Sequence, residues 1–264
     1  MNWRNNMKVT LIGYSTPNIT QTYSEEDSPD KVVYTALAQC YNDSFNPMNK
    51  QYPEVETMKK TIKHVLSSGH HSVAEHVSFT FLIEGVSRAL THQLVRHRIA
   101  SYSQKSQRYV NEKNFTYVTP YTIQKNKFLN ETYNNFMNNI MEFYTRLTNN
   151  GIPAEDARFI LPNACTTNIV MTMNIRSLGE FFAKRMCKRA QWEIREMAEK
   201  MSSMCRDIAP TFFKDNKLGF AACIQNGFCK EAKSCGMMPK LSDLQNAYKI
   251  VENSKKEMEE KFSV

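Results

Sequence analysis

Residues Gln93 to Val110 read Q-L-V-R-H-R-I-A-S-Y-S-Q-K-S-Q-R-Y-V, and the rest of the chain is best placed relative to them. The stretch gathers Arg96, Arg98, Lys105 and Arg108, the imidazole of His97, three serines (Ser101, Ser103, Ser106) and three amides (Gln93, Gln104, Gln107). Such groups bind phosphates, ribose hydroxyls and base edges. It is therefore a binding segment first and a packing segment second.

Before it, Val77, Phe79, Phe81 and Ile83 alternate as a strand, and Val86, Ala89, Leu90 and Leu94 fall at helical spacing. That helix delivers Gln93 and Arg96 at its end. Further upstream, Lys8 to Gly13 reads as a short strand and Tyr14 to Asp27 as a polar turn region. Ser28 and Pro29 then open a helix with Val32, Val33, Ala36, Leu37 and Cys40 on its apolar face. A second helix runs from about Pro53 and stops at Gly69.

After the central stretch, Tyr109 to Tyr121 reads as strand or loop. A long helix from about Gln124 to Asn150 points Phe128, Phe136, Ile140, Phe143, Tyr144 and Leu147 inward and ends at Gly151. Pro153 starts a short helix carrying Arg158, and Pro162 closes it. Asn168 to Ile175 suits a strand. Ser177 and Glu180 have the spacing of a capping box, which predicts one long helix with Met186, Ala190, Ile194, Met197, Met201 and Met204 on its core stripe. An amphipathic helix from Ser242 to about Phe262 ends the chain.

At 264 residues, with 41% hydrophobic and 23% charged residues, the chain suits one sizeable core. A net charge of +8 calls for an anionic partner. No apolar run reaches the ~20 residues that span a bilayer, and Met1 to Thr10 lacks a secretory signal, so we expect a cytoplasmic protein with no membrane partner.

Metal binding is not expected. Gly69 to His76 holds three of the six histidines, but His71 and His76 are five apart and no compact zinc pattern appears. Cys223, Cys229 and Cys235 are evenly spaced without C-x-x-C pairs, which favours free thiols over part of a zinc site.

Arg96, Arg98, Arg108, Arg158, Arg176 and Arg185 define the chemistry if they meet in space. Several guanidiniums with few carboxylates bind phosphorylated, planar ligands through paired hydrogen bonds. Nucleotides fit that description. The glycine fingerprints of P-loop and doubly wound dinucleotide folds are absent. A basic nucleic-acid-binding protein is the competing class, with Tyr102, Tyr109 and Tyr117 near the arginines. The interleaving of arginines with amides and hydroxyls favours an enzyme with no nucleic-acid partner.

Arg96-His97-Arg98, seven residues, then Ser106 is the pattern R-H-R-x7-S, and here the chain resembles the flavin-dependent thymidylate synthases. The likeness extends to Gly69-His70 and Glu75-His76, to Gly151-Ile152-Pro153, Ala157-Arg158 and Leu161-Pro162, and to Asn174 through Leu178, Arg185 and Ala190 through Ile194. It covers about residues 7 to 212 in the family's order. It implies an α/β (α+β) fold, a central mostly antiparallel sheet with long helices, in a homotetramer with shared active sites. A catalytic domain over residues 1–221 and a cysteine-containing extension over 222–264 follow.

The resemblance also implies FAD, reduced by NADPH, and conversion of dUMP to dTMP with the methylene group of 5,10-methylenetetrahydrofolate. By motif position Ser72, Arg96, His97, Arg98, Gln104, Asn174 and Arg176 lie along FAD, with His70 near flavin and folate. Gln93, Arg96, Gln104, Ser106, Gln107, Arg108, Arg158 and Arg185 hold dUMP, and Arg185 is the catalytic group that stabilises charge on the pyrimidine. Three positions depart from common family patterns: Gln104 replaces a frequent glutamate, Glu180 a neutral Asn or His, and Arg189 a histidine.

Overall fold

A computed structural model describes residues 7–18, 28–42, 45–47 and 52–262, and beyond residue 256 it describes the side chain of 258 alone. Most of the polar region expected between Tyr14 and Asp27 therefore lies outside the described residues, as do the first six residues. The chain divides into two compact units, Met1–Tyr52 with His71–Ser177, and Pro53–His70 with Leu178–Val264.

The first unit is built on four antiparallel strands, β1 (Lys8–Tyr14), β2 (Ser78–Ser87), β3 (Ser101–Gln104) and β4 (Thr166–Asn174), in the order β1-β2-β4-β3. Alternation decides its inner face. Phe79, Phe81 and Ile83 of β2 are buried opposite Met173, Met171 and Ile169 of β4. Each such side chain contributes roughly 1.5–3 kcal/mol when fully withdrawn from water. Gly85, at φ 69°, sits where the β2–β4 register shifts between Ile83 and Val86, a backbone region that penalises other residues.

Strand β3 was not expected from the sequence. Its four residues alternate between exposed and half-buried and carry no large aliphatic side chain, so the hydrophobic signal is missing. Pairing with β4 supplies what composition does not, and it fixes the middle of the Gln93–Val110 stretch to the sheet.

The first unit also holds α1 (Pro29–Tyr41), α3 (Arg88–Leu94), α4 (Tyr121–Gln124), α5 (Lys127–Asn149) and α6 (Ala154–Ala157); α2 (Val55–Ser67) belongs to the second. Helix α5 corrects one expectation. Tyr144 and Met137 are buried, but Phe128, Phe136 and Phe143 are 73%, 63% and 50% exposed. The helix carries two apolar stripes, and only one meets this unit's core.

In the second unit, α2 ends with the Gly69 N–H donating to Leu66 O and the His70 N–H to Val65 O, with Gly69 at φ 88°. This is the glycine stop read from the sequence. Helix α7 (Ile175–Arg185) starts earlier than the capping box implied: the Ser177 N–H donates to Asn174 Oδ1 at 2.8 Å, so Asn174 is the cap and Ser177 lies inside the first turn.

The single long helix expected beyond it is two. Met186–Gln191 is irregular, and α8 (Trp192–Ile208) begins where Gln191 Oε1 accepts from the N–H groups of Glu193 and Ile194 at 3.0 and 3.1 Å. No glycine or proline marks this break, and glutamine is an uncommon cap, so spacing alone reads straight through it.

Phe181, Phe182, Ile194, Met197, Met201, Phe212 and Phe213 form the second unit's core. Phe182 meets Phe181 and Phe213 edge-on at 5.6 and 5.9 Å. Helices α9 (Ala222–Asn226) and α10 (Leu241–Phe262) complete it, and no helix among the described residues is long and apolar enough to cross a membrane.

Gly219 marks the tightest point of this core. A Cβ there would stand 2.6 Å from Phe213 O and 3.1 Å from Ser202 Oγ, which itself donates to Gly219 O. We expect Gly219→Ala to cost about 1–3 kcal/mol by overpacking, measured by urea unfolding; an unchanged midpoint contradicts this packing.

Candidate functional site

Ser87 Oγ caps α3 by accepting from the Leu90 N–H at 3.0 Å, and the helix ends just before the Arg96-His97-Arg98 loop. Tyr102, on β3, anchors that loop. Its hydroxyl lies 2.9 Å from both Leu94 O and His97 O and shares one proton between them. Burial pushes the phenol pKa up to about 12, so the donor keeps its proton at any physiological pH. Arg96 and Arg98 are exposed at the rim, while Gln93 and His97 are half-buried.

The next residues point back to the sheet. Gln104 Nε2 donates to Thr91 Oγ1 at 3.0 Å and, more weakly, to Thr167 Oγ1 at 3.4 Å. Lys105 Nζ lies 2.8 and 3.1 Å from the two carboxylate oxygens of the buried Glu112. Ser106 Oγ accepts from the Arg108 N–H, and the Ser106 carbonyl accepts from the Val110 N–H, a turn that sets the direction of Arg108. Gln107 Nε2 contacts Cys165 Sγ at 3.8 Å.

Arg108 and Arg158 both bond Glu155, the first at its carboxylate and the second at its main-chain carbonyl. Arg108 Nε donates to Glu155 Oε2 at 3.1 Å, and Arg158 Nε donates to the Glu155 carbonyl at 3.1 Å. Arg88 lies in the same region and its guanidinium donates to Lys105 O at 2.7 Å. Its pKa is lowered, chiefly by burial; the charges of Cys165 and Glu112 oppose the shift and that of Arg158 adds to it. Sequence reading missed Arg88, Tyr102 as an anchor, and Glu155; the one available signal was that a tyrosine beside a basic loop has a hydroxyl to place.

Asn174 is committed to capping α7, and Arg176 pairs with Glu75 at 2.6 Å, both in the first unit. Ser72 is exposed on a 3-10 turn (Ser72–His76) of that unit. His70 and Arg185 belong to the second unit, His70 directly after the α2 stop and Arg185 at the end of α7. Burial lowers the pKa of Arg185. Arg189 lies outside α7 and pairs with Glu231 at 2.7 Å, which occupies its guanidinium. The first unit thus carries twelve of the fourteen residues assigned by motif position: Ser72, Gln93, Arg96, His97, Arg98, Gln104, Ser106, Gln107, Arg108, Arg158, Asn174 and Arg176.

Residues 21–211 match the family model described as thymidylate synthase complementing protein. The chain is also 50% identical over 232 residues to the flavin-dependent thymidylate synthase of Pyrococcus furiosus, covering 85% of this chain and 90% of that one. The chain belongs to the flavin-dependent thymidylate synthase family. The enzyme of that name from Nitratidesulfovibrio vulgaris is 44% identical over 228 residues, with 80% and 91% coverage, and that from Clostridium tetani 43% over 248 residues, with 87% and 93%.

All fourteen residues assigned by motif position fall inside the matched span, whereas Cys223, Cys229 and Cys235 lie beyond it. Burial raises the Cys223 thiol's pKa, and the neighbouring thiols Cys229, Cys187 and Cys235 add to the shift. Cys165 is pushed up to about 11, again mainly by burial, and Cys205 higher still, so both are protonated packing residues.

The Tyr102 clasp is testable apart from any activity. Tyr102→Phe should lower stability by about 1 kcal/mol, the worth of an ordinary buried hydrogen bond, and speed amide exchange at His97. Equal stability and equal exchange would show that the loop holds its shape without the hydroxyl.

Proposed function

We propose that this chain makes dTMP from dUMP, with FAD as cofactor, NADPH as reductant and 5,10-methylenetetrahydrofolate as carbon donor. The observation that carries the reading is the convergence of Arg108 and Arg158 on Glu155, beside a turn built by Ser106. The Arg108–Glu155 pair is about half exposed on both sides, and such pairs are worth only about 0–1 kcal/mol. A nucleotide phosphate displaces the carboxylate from Arg108 at little cost, and Arg158, whose Nε is held on the Glu155 carbonyl, supplies a second guanidinium.

The donor set also fits a flavin dinucleotide. Arg96 and Arg98 offer exposed guanidiniums for its diphosphate, and His97 a half-buried imidazole between them. Ser72, Gln104, Asn174 and Arg176 are the further flavin contacts, of which Gln104 and Asn174 are already held by hydrogen bonds. His70 serves flavin and folate.

Gln93, Arg96, Gln104, Ser106 and Gln107 hold the nucleotide beside Arg108 and Arg158. Ser106 is a binding group, since its oxygen accepts the Arg108 N–H and sets that turn. Arg185 is the catalytic residue: a partly desolvated guanidinium stabilises negative charge developing on the pyrimidine more strongly than one in water. When bound, the reduced flavin supplies the hydride, and the protein supplies position and charge.

The exposed stripe of Phe128, Phe136 and Phe143 on α5 supports assembly into a homotetramer with shared active sites. The readings of residues 1–221 as catalytic domain and 222–264 as extension, and of the cytoplasm as location, accompany this function.

Product analysis tests it. Protein supplied with FAD, NADPH, dUMP and methylenetetrahydrofolate should yield dTMP, and Arg108→Ala should weaken dUMP binding by about 1.5–3 kcal/mol, roughly ten- to a hundredfold. Absence of dTMP from flavin-loaded protein refutes the activity, and unchanged dUMP affinity removes Arg108 from the site.

A further inference from the structure

Cys187 from the irregular segment after α7, Cys223 on α9, and Cys229 and Cys235 after it all line one cavity of about 210 Å3 in the second unit. All four are free thiols. They come from segments 36 residues apart in sequence at the widest step, so the fold and not local spacing brings them together.

We propose that these four cysteines form a thiolate metal centre, and that its occupant is an iron–sulfur cluster. Four cysteines are the full ligand set of a tetrahedral zinc ion and of a cubane cluster alike. The spread of the thiols separates them. A zinc ion draws four sulfurs to about 2.3 Å around a point, and among the described residues no three His, Cys, Asp or Glu side chains are grouped to hold a single ion. A cubane takes its thiolates at its outer corners and fills a cavity between them.

Two other features agree with a bound, negatively charged centre. Lys184, Lys188, Lys230 and Lys233 also line the cavity and offset the charge of four thiolates, while Arg189 is already paired with Glu231. Residues 227–240 have no helix or strand and are joined mainly by the Cys229–Lys240 bridge, with the Cys229 N–H donating to Pro239 O at 2.7 Å. A segment of that length with so few backbone bonds is the kind that metal ligation holds in place. Because Cys187 follows Arg185 by two residues, the centre would also tie the C-terminal segment to the end of α7.

The full-length protein, purified without air from cells supplied with iron and zinc, should contain about four iron and four sulfide per chain by elemental and sulfide analysis. Cys229→Ser should lower both at least about fivefold. So should Cys235→Ser, whose exposed position leaves the fold intact, whereas Cys40→Ser should not. About one zinc per chain, lost in the same two variants, would keep the four-thiolate centre and overturn the cluster. Less than about a tenth of an equivalent of either metal, or metal indifferent to Cys235→Ser, overturns the centre itself. None of these readouts uses flavin or dTMP, so this inference and the proposed activity fail independently.

Discussion

Gln93 to Val110 contains four cations and no carboxylate, so nothing within it can fix its own shape by charge pairing. Like charges this close repel, and an exposed basic loop left to itself samples many conformations. Order comes from the backbone instead. Tyr102 holds the carbonyls of Leu94 and His97, β3 pairs with β4, and Ser106 closes a turn. The side chains of Arg96 and Arg98 are thereby presented at the surface without being used up in holding it together.

Two of these cations, Lys105 and Arg108, meet carboxylates from elsewhere, and the first unit's ion pairs come in two grades. Glu112 is buried with Lys105 at 2.8 Å, a pair that removal of either partner would break at high cost, so it is architecture. Glu155 with Arg108 and Glu75 with Arg176 are exposed pairs of small worth. Weak pairs keep guanidiniums aligned and yield them to a stronger anion. The gradation from buried to exposed pairing therefore separates the pair that builds the first unit from pairs that hold their guanidiniums only weakly.

The sequence was most legible where one signal dominated. The alternation of Phe79, Phe81 and Ile83, the Gly69 stop and the R-H-R-x7-S pattern each led to the right element or family. It was least legible where side chains of ordinary type did unusual work. Asn174 displaced Ser177 as a cap, Gln191 broke a helix with no breaker in sight, and β3 had no hydrophobic pattern to announce it. The outward stripe of α5 was read as inward because periodicity reports that a face is apolar, not what covers it. Cys187 was not grouped with the three later cysteines for a similar reason: spacing along the chain carries no information about a partner 36 residues away.

The visible absorption spectrum of the purified protein, followed through addition of NADPH with and without dUMP, separates a flavin enzyme from a protein that is merely basic. If the basic loop and the Arg108–Arg158 pair form a flavin and nucleotide site, a flavin band is present or appears on adding FAD, and NADPH bleaches it faster when dUMP is bound. Protein that neither retains FAD nor takes it up, while its sheet remains folded, would show that the basic loop is not a flavin site.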